Sequence, residues 1–308
     1  MPRYTTCAML PGMTPIARRV VAPWLAWIPC LALLAGGAAA AGCSTEQAAE
    51  LLISPEEENM LGAQLKAELE KGTMDMPAIR YLQEPTLKAY IVGLAEKVVS
   101  IGRAKRPEFT WKVEVIDDDS QVNAFATPGG YLYVYTGLLR AADNEAEVVG
   151  VLGHETGHVL ARHFAQRLVK TYTVQGLVAI ALGKDAGALS QLAGSILAQG
   201  YLLSFSRENE TEADEYGARL ASQAGFDPNG LVTFFQKLEA LQGQTPAVLK
   251  YVMGHPLAAD RIKHVQELIQ NEKLPIGVVN REAFQMMKMK LPAGLPMGGA
   301  DGGAAHPG

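Results

Sequence analysis

The chain has 308 residues, 48% of them apolar, and a net charge of −5 from 27 basic and 32 acidic side chains. That is enough apolar material for one good-sized core or two small ones, and the lack of a basic stripe excludes nucleic acid as a partner. All three cysteines, Cys7, Cys30 and Cys43, lie at or before position 43, so any metal bound beyond that point must use His, Asp or Glu.

The N-terminus reads as an export signal. Arg18 and Arg19 precede VVAPWLAWIPCLALLAGGAAAA, 22 residues without a charge, and AAGCS overlaps its end. A basic start, an apolar run and small residues before a break have that meaning. The Ala-Ala-Gly-Cys stretch resembles the lipobox of bacterial lipoproteins, although Ala40 stands where leucine is usual. The resemblance implies a lipid on Cys43, which becomes the first mature residue. The alternative is an uncleaved membrane helix, weakened by Pro23, Pro29 and the Gly36-Gly37 pair. Both place the body outside the cytoplasm on a bacterial membrane. For a lipoprotein, Ser44 in place of the inner-membrane retention aspartate points to the periplasmic face of the outer membrane; an inner-membrane anchor is the alternative. Residues 1–42 are thus expected to be signal, 43–290 one domain, and the low-complexity tail 291–308 disordered.

Ser54, Pro55 and Glu57 form a capping box with proline at the first helical position, and Gly72 is a plausible stop. Leu87, Ile91, Leu94 and Val98 share helical spacing. Phe109, Trp111, Val113 and Val115 alternate, as on a strand with one buried face. VNAFATPGGYLYVYTG reads as strand, Pro-Gly-Gly turn, strand. Asn144 with Glu147 starts a long helical pattern that runs to Lys170. Residues 174–203 read as two core helices joined at GKDAG. A helix ends at Gly225, and two more lie near 228–242 and 257–270. The fold class is α+β: a mainly helical domain with a small β-sheet.

GHETGH, residues 153–158, lies on the long helix. At about 100° per residue, His154 and His158 are about 40° and one turn apart, so both imidazoles can reach one ion. Glu155 flanks that ion beside an open coordination position, as in zinc peptidases. Val149, Leu152, Val159 and Leu160 would bury this helix. A catalytic zinc usually has a third protein ligand. His163, nine residues from His154, falls about 180° around a continuous helix, and Ala161 replaces the glycine of the metzincin pattern; His163 therefore reads as structural or as support for a ligand. Glu210 and Asp214, four apart, share a helix face. Glu210 could bind the metal while Asp214 holds a histidine, but with Glu208, Glu212 and Glu215 nearby the segment reads equally well as a solvated acidic face.

Four segments in order resemble the HtpX-like gluzincin peptidases, relatives of the CaaX prenyl protease and of the mitochondrial Oma-type proteases: VNAFATPGGYLYVYTGLL, GHETGHVLARH, SRENETEADEYG and GHPLAADRI. The resemblance runs from about Glu84 to Leu268. It implies a zincin-type metalloprotease domain with one Zn2+ held by His154, His158 and Glu210. It also draws in His255 and Arg261, from the later His-Pro…Arg element. The chain departs from HtpX in lacking a clear set of transmembrane helices, and from some periplasmic relatives in lacking a helical-repeat extension.

The implied reaction is peptide hydrolysis, with Glu155 moving a proton between an acidified water and the leaving amine. A strand edge near Asn123 to Ala126, or along Tyr131 to Tyr135, would hold extended polypeptide. Such a site selects conformation more than sequence, which suits misfolded or misassembled envelope proteins as substrates. His255 could stabilise the oxyanion or enter the open zinc position and restrain the enzyme; Arg261 could face bound peptide. The rival function is a membrane-tethered chaperone or assembly factor with a structural zinc, closed by four protein ligands.

Overall fold

The computed structural model describes residues 45–72, 77–171, 186–198, 205–241, 254–256 and 259–292. The expected signal, the first half of the 174–203 pair and nearly all of the expected tail lie outside these residues. In chain order the elements are α1 (Thr45–Leu52), α2 (Pro55–Lys71), α3 (Pro85–Lys105), β1 (Lys112–Ile116), β2 (Ala124–Thr127) and β3 (Tyr131–Tyr135). They continue with α4 (Thr136–Ala141), α5 (Glu145–Leu160), α6 (His163–Thr171), α7 (Ala186–Ala198) and α8 (Arg207–Gln223). The last three are α9 (Asn229–Leu241), α10 (Ala259–Asn271) and α11 (Arg281–Lys288). The class is α+β, as expected, with one three-stranded sheet among the described residues. No helix among them is long and apolar enough to cross a membrane.

Helix starts follow the local chemistry. Ser54 Oγ accepts from Glu57 N at 3.3 Å while Ser54 N donates to Glu57 Oε2 at 2.6 Å, the reciprocal capping box. Asn144 Oδ1 accepts from Glu147 N at 3.0 Å and starts α5. The expected strand from Phe109 is shorter than its alternation suggests. Trp111 has φ 47°, a left-handed backbone that no strand continues through, so β1 begins at Lys112. Phe109 and Trp111 are nonetheless buried, in an edge-to-face pair.

The sheet order is β1-β3-β2, with β1 parallel and β2 antiparallel to β3. Central β3 is paired on both sides, so the expected substrate edge along Tyr131 to Tyr135 does not exist. The other expected edge falls on β2, Ala124–Thr127, which with β1 forms the two outer strands of the sheet. The turn between β2 and β3 needs its glycines: Gly129 and Gly130 have φ 76° and 83°, a region L side chains rarely adopt.

The single helix expected from Asn144 to Lys170 is two. It breaks at Arg162, which has φ 56°. A non-glycine residue there costs roughly 1–3 kcal/mol and persists only where its surroundings impose it. They do so here: buried Arg162 donates through Nε to buried Glu58 at 2.5 Å, pairs with Glu50 at 2.7 Å and bonds the Ile53 carbonyl. One buried core lines α5, α3, α8, α9 and α10, with Leu152, Val149, Leu94, Leu220, Phe234 and Val265 in it.

Candidate metal centre

Helix α5 carries GHETGH through the middle of the protein, buried at every residue. Two of its glycines set how close α8 can come. A Cβ on Gly157 would lie 2.6 Å from Tyr216 Cβ, and one on Gly153 would lie 3.0 Å from Gly217 O. A glycine inside a helix costs about 1 kcal/mol relative to alanine. That cost lets two helix backbones nearly touch, and the crossing brings Glu210, in the first turn of α8, to the histidines of α5.

His154 Nε2 and His158 Nε2 are 3.0 Å apart. Glu210 reaches them at 3.7 Å (Oε2 to His154 Nε2) and 3.6 Å (Oε1 to His158 Nε2). His255 joins from the segment before α10, its Nδ1 lying 3.2 Å from His154 Nε2 and 3.2 Å from Glu210 Oε1. One ligand atom from each of these four buried residues lies within 4.8 Å of all the others. Donors about 2.0–2.1 Å from a tetrahedral zinc stand roughly 3.3 Å from each other, so the observed spacings fit that ion. The fit also explains why two Nε2 atoms face each other, since only one of them could carry a proton between them.

The outer atoms are held as well. Asp214 Oδ1 lies 2.8 Å from His154 Nδ1, and Arg261 donates to both Asp214 oxygens, each at 2.7 Å. Arg261 also pairs with Glu210 Oε2 at 2.9 Å and bonds the Pro256 carbonyl at 2.8 Å. Arg261 is therefore buried on the back of the ligands, not facing bound peptide as expected from sequence. Burial alone would push the Asp214 carboxyl up; the bonds from Arg261 and His154 outweigh it and hold the group below its ordinary value. Burial likewise opposes the charged form of Glu210, but His255, His154 and Arg261 pull its pKa down. Burial pushes His158 well below its ordinary range, which keeps a lone pair available. For His255, burial opposes the charge, yet Glu210 and Glu155 outweigh it and push the value up to about 9.

Glu155 points to the side of this cluster. Its Oε1 is buried and makes no hydrogen bond, with His255 Nε2 at 3.5 Å. Burial pushes its pKa up, and the Ala126 backbone N–H, on edge strand β2, bonds its carboxylate. The arrangement is three donors plus His255, with a proton-exchanging carboxylate alongside.

Comparison with known proteins fits this geometry. Residues 82–269 match the model of peptidase family M48. The chain belongs to that family. Members of M48 are zinc-dependent, and the four-residue cluster is able to hold the ion. The chain is 35% identical over 193 residues to the mitochondrial metalloendopeptidase OMA1 of Schizosaccharomyces pombe, covering 63% of this chain and 55% of that one. It is 30% identical over 235 residues to the beta-barrel assembly-enhancing protease of Yersinia pestis, covering 73% and 47%. The Escherichia coli protein of the same name is 27% identical over 219 residues, covering 68% and 44%. The chain thus spans about half the length of these curated M48 relatives.

Two further side chains that helical spacing did not bring to the cluster touch His158. His163 Nδ1 lies 2.8 Å from His158 Nδ1, and the Phe205 ring stacks on His158 with centroids 4.2 Å apart. Counting 100° per residue put His163 on the far face; the left-handed turn at Arg162 swings it back. Nothing in the sequence after GHETGHVLA signalled the break, since a non-glycine residue gives no hint of positive φ.

Proposed function

We propose that this chain is a zinc-dependent metalloendopeptidase of a bacterial envelope that cleaves misfolded or misassembled proteins. His154, His158 and Glu210 are its metal ligands and Glu155 its proton-transfer group. The observation that carries the reading is Glu155: a buried carboxylate beside three donors, with Oε1 in no hydrogen bond. A structural metal site has no use for such a group. Zinc, when bound, supplies a Lewis acid and a water whose pKa falls to about 7. Glu155, its affinity for protons raised by burial, accepts the proton of the attacking water and returns it to the leaving amine. Asp214 orients His154, and Arg261 holds Asp214 in place. Edge strand β2, tied to Glu155 through Ala126, pairs with substrate backbone. The reading is tested by replacing Glu155 with Gln: zinc should stay and cleavage of casein should go, and full cleavage would end it.

The bacterial relatives, named as beta-barrel assembly-enhancing proteases, support substrates drawn from outer-membrane assembly. The site of action follows from the expected lipid on Cys43, which would tether residues 43–290 to the periplasmic face of the outer membrane. Mass spectrometry of the N-terminal peptide tests this; an unmodified peptide spanning residues 30–50 favours an uncleaved anchor, on the inner membrane.

One observation favours a second reading. With His255 the cluster has four protein donors, the closed arrangement of structural zinc, as in a tethered chaperone or assembly factor. On the protease reading, His255 instead occupies the substrate position and holds the enzyme at rest. Replacing His255 with Ala separates the two: cleavage rises for a restrained protease, while zinc loss without any cleavage supports the structural role.

A further inference from the structure

The two metal-facing histidines of α5 are backed by different chemistry. His154 turns Nδ1 to a carboxylate, Asp214, itself held by Arg261. His158 turns Nδ1 to another imidazole, that of fully buried His163, at 2.8 Å. His163 Nε2 in turn lies 3.2 Å from Glu212 Oε2, whose side chain is half exposed on α8.

Only one assignment of protons satisfies all three contacts. His158 Nε2 faces the donor cluster, 3.0 Å from His154 Nε2 and 3.6 Å from Glu210 Oε1. As a ligand it offers the lone pair there, so its ring proton sits on Nδ1. That Nδ1–H needs an acceptor, and His163 Nδ1 is the atom in range. His163 therefore keeps its lone pair on Nδ1 and its proton on Nε2, which donates to Glu212. The Phe205 ring, 24° from parallel with the His158 ring, fixes its tilt. The hydrogen bond fixes rotation within that plane.

We infer that His163 is a positioning residue for the metal: it sets the tautomer and ring angle of His158, and Glu212 sets the tautomer of His163. His163 is not itself a ligand, because the nitrogen nearest the site points at the outward face of His158. The Arg162–Glu58 ion pair is what makes the contact possible, since it holds the turn that returns His163 to this face. The inference rests on His158 being a metal ligand.

The test is zinc affinity of the full protein, measured by competition with a chelating dye, in His163→Leu, His163→Asn, Glu212→Ala and His158→Ala. Loss of an outer-shell partner of a ligand typically weakens metal binding about 10–100-fold, so His163→Leu should fall in that range. Asn places an amide oxygen near the position of Nδ1, so His163→Asn should recover most of the affinity, to within roughly threefold of the parent. Glu212→Ala, at the surface, should weaken binding by a smaller factor. Parental affinity in His163→Leu, or equal losses in the Leu and Asn variants, would overturn the inference. Undiminished zinc in His158→Ala would overturn the ligand assignment instead. If His163→Leu fails to fold, nitrogen-15 NMR of the zinc-loaded parent decides. Protons on His158 Nδ1 and His163 Nε2 support the inference, and a proton on His163 Nδ1 overturns it.

Discussion

Arg261 holds Asp214 with two parallel hydrogen bonds of 2.7 Å each, linking α10 to the back of the His154–His158–Glu210–His255 cluster. Both residues are buried, and Glu210 shares the same guanidinium at 2.9 Å. Removing Arg261 leaves buried Asp214 without its cation, and Glu210 with His255 alone. Loss of one partner from a buried pair typically costs about 3–5 kcal/mol. Arg261→Ala should therefore lower the melting temperature of the metal-free protein and weaken zinc. Arg261→Lys should recover little, because an ammonium cannot make the two-pronged contact. Thermal melts in a chelator check this, and a melt like that of the parent contradicts it.

Glu155→Gln keeps the shape of the side chain and removes its basicity. Proton transfer by a positioned group contributes about 100- to 10,000-fold, so cleavage of a quenched peptide should drop by at least that lower factor. Zinc content should be unchanged, as Glu155 is not among the donors of the cluster. Zinc analysis beside the rate measurement is the check.

Gly157→Ala and Gly93→Ala should have opposite signs. A methyl at 157 would stand 2.6 Å from Tyr216 Cβ and force α8 away from α5. Overpacking of this kind costs about 1–3 kcal/mol, and here it also pulls Glu210 from the histidines, so zinc weakens too. At Gly93, on the exposed face of α3, an added Cβ meets nothing within 4 Å. Helix propensity alone then stabilises, by up to about 1 kcal/mol. Chemical denaturation of both variants reads the difference.

His255 gives the metal-free site a pH dependence. Its pKa is pushed from 6.5 up to about 9 by Glu210 and Glu155, against burial. A value raised on folding adds stability that is complete below the unfolded value and is lost as pH rises through the folded one. Metal-free parent and His255→Ala should thus differ most in stability below about pH 6.5 and converge above about 9. Zinc shows the reverse trend. Binding must expel the His255 proton, so affinity should climb with pH towards about 9, by about tenfold per unit for one proton. His255→Ala should flatten that slope; calorimetric titration across the range would show it.

Much of the site was legible because it is local. Four-residue spacing put His154 beside His158 and Glu210 beside Asp214, whatever the rest of the chain did. Ser54, Asn144 and Ser206 each cap a helix by bonding a backbone N–H three residues on. The acidic run of α8 was ambiguous. Glu210 and Asp214 proved buried, while the Glu212 side chain is half exposed, and only the helix crossing chose among them. Helices α1, α4 and α11 were not anticipated; at 8, 6 and 8 residues they are too short to show a period.

The sequence alone determined the helix that carries His154 and His158, the α+β class, and a strand edge near Asn123 to Ala126 as one of two candidates. Those features depend on residue type and on spacing within one helix or hairpin. The tertiary structure decided which charges would be buried together and which way each ring would face. Arg162 adopts a left-handed turn only because Glu58, 104 residues earlier, takes its charge in the core. His255 enters the cluster from 101 residues beyond His154. Arg261 turns to buried Asp214 and Glu210 because carboxylates removed from water need a cation. Such pairings are set by desolvation at contacts between distant segments, and no periodicity along the chain encodes them.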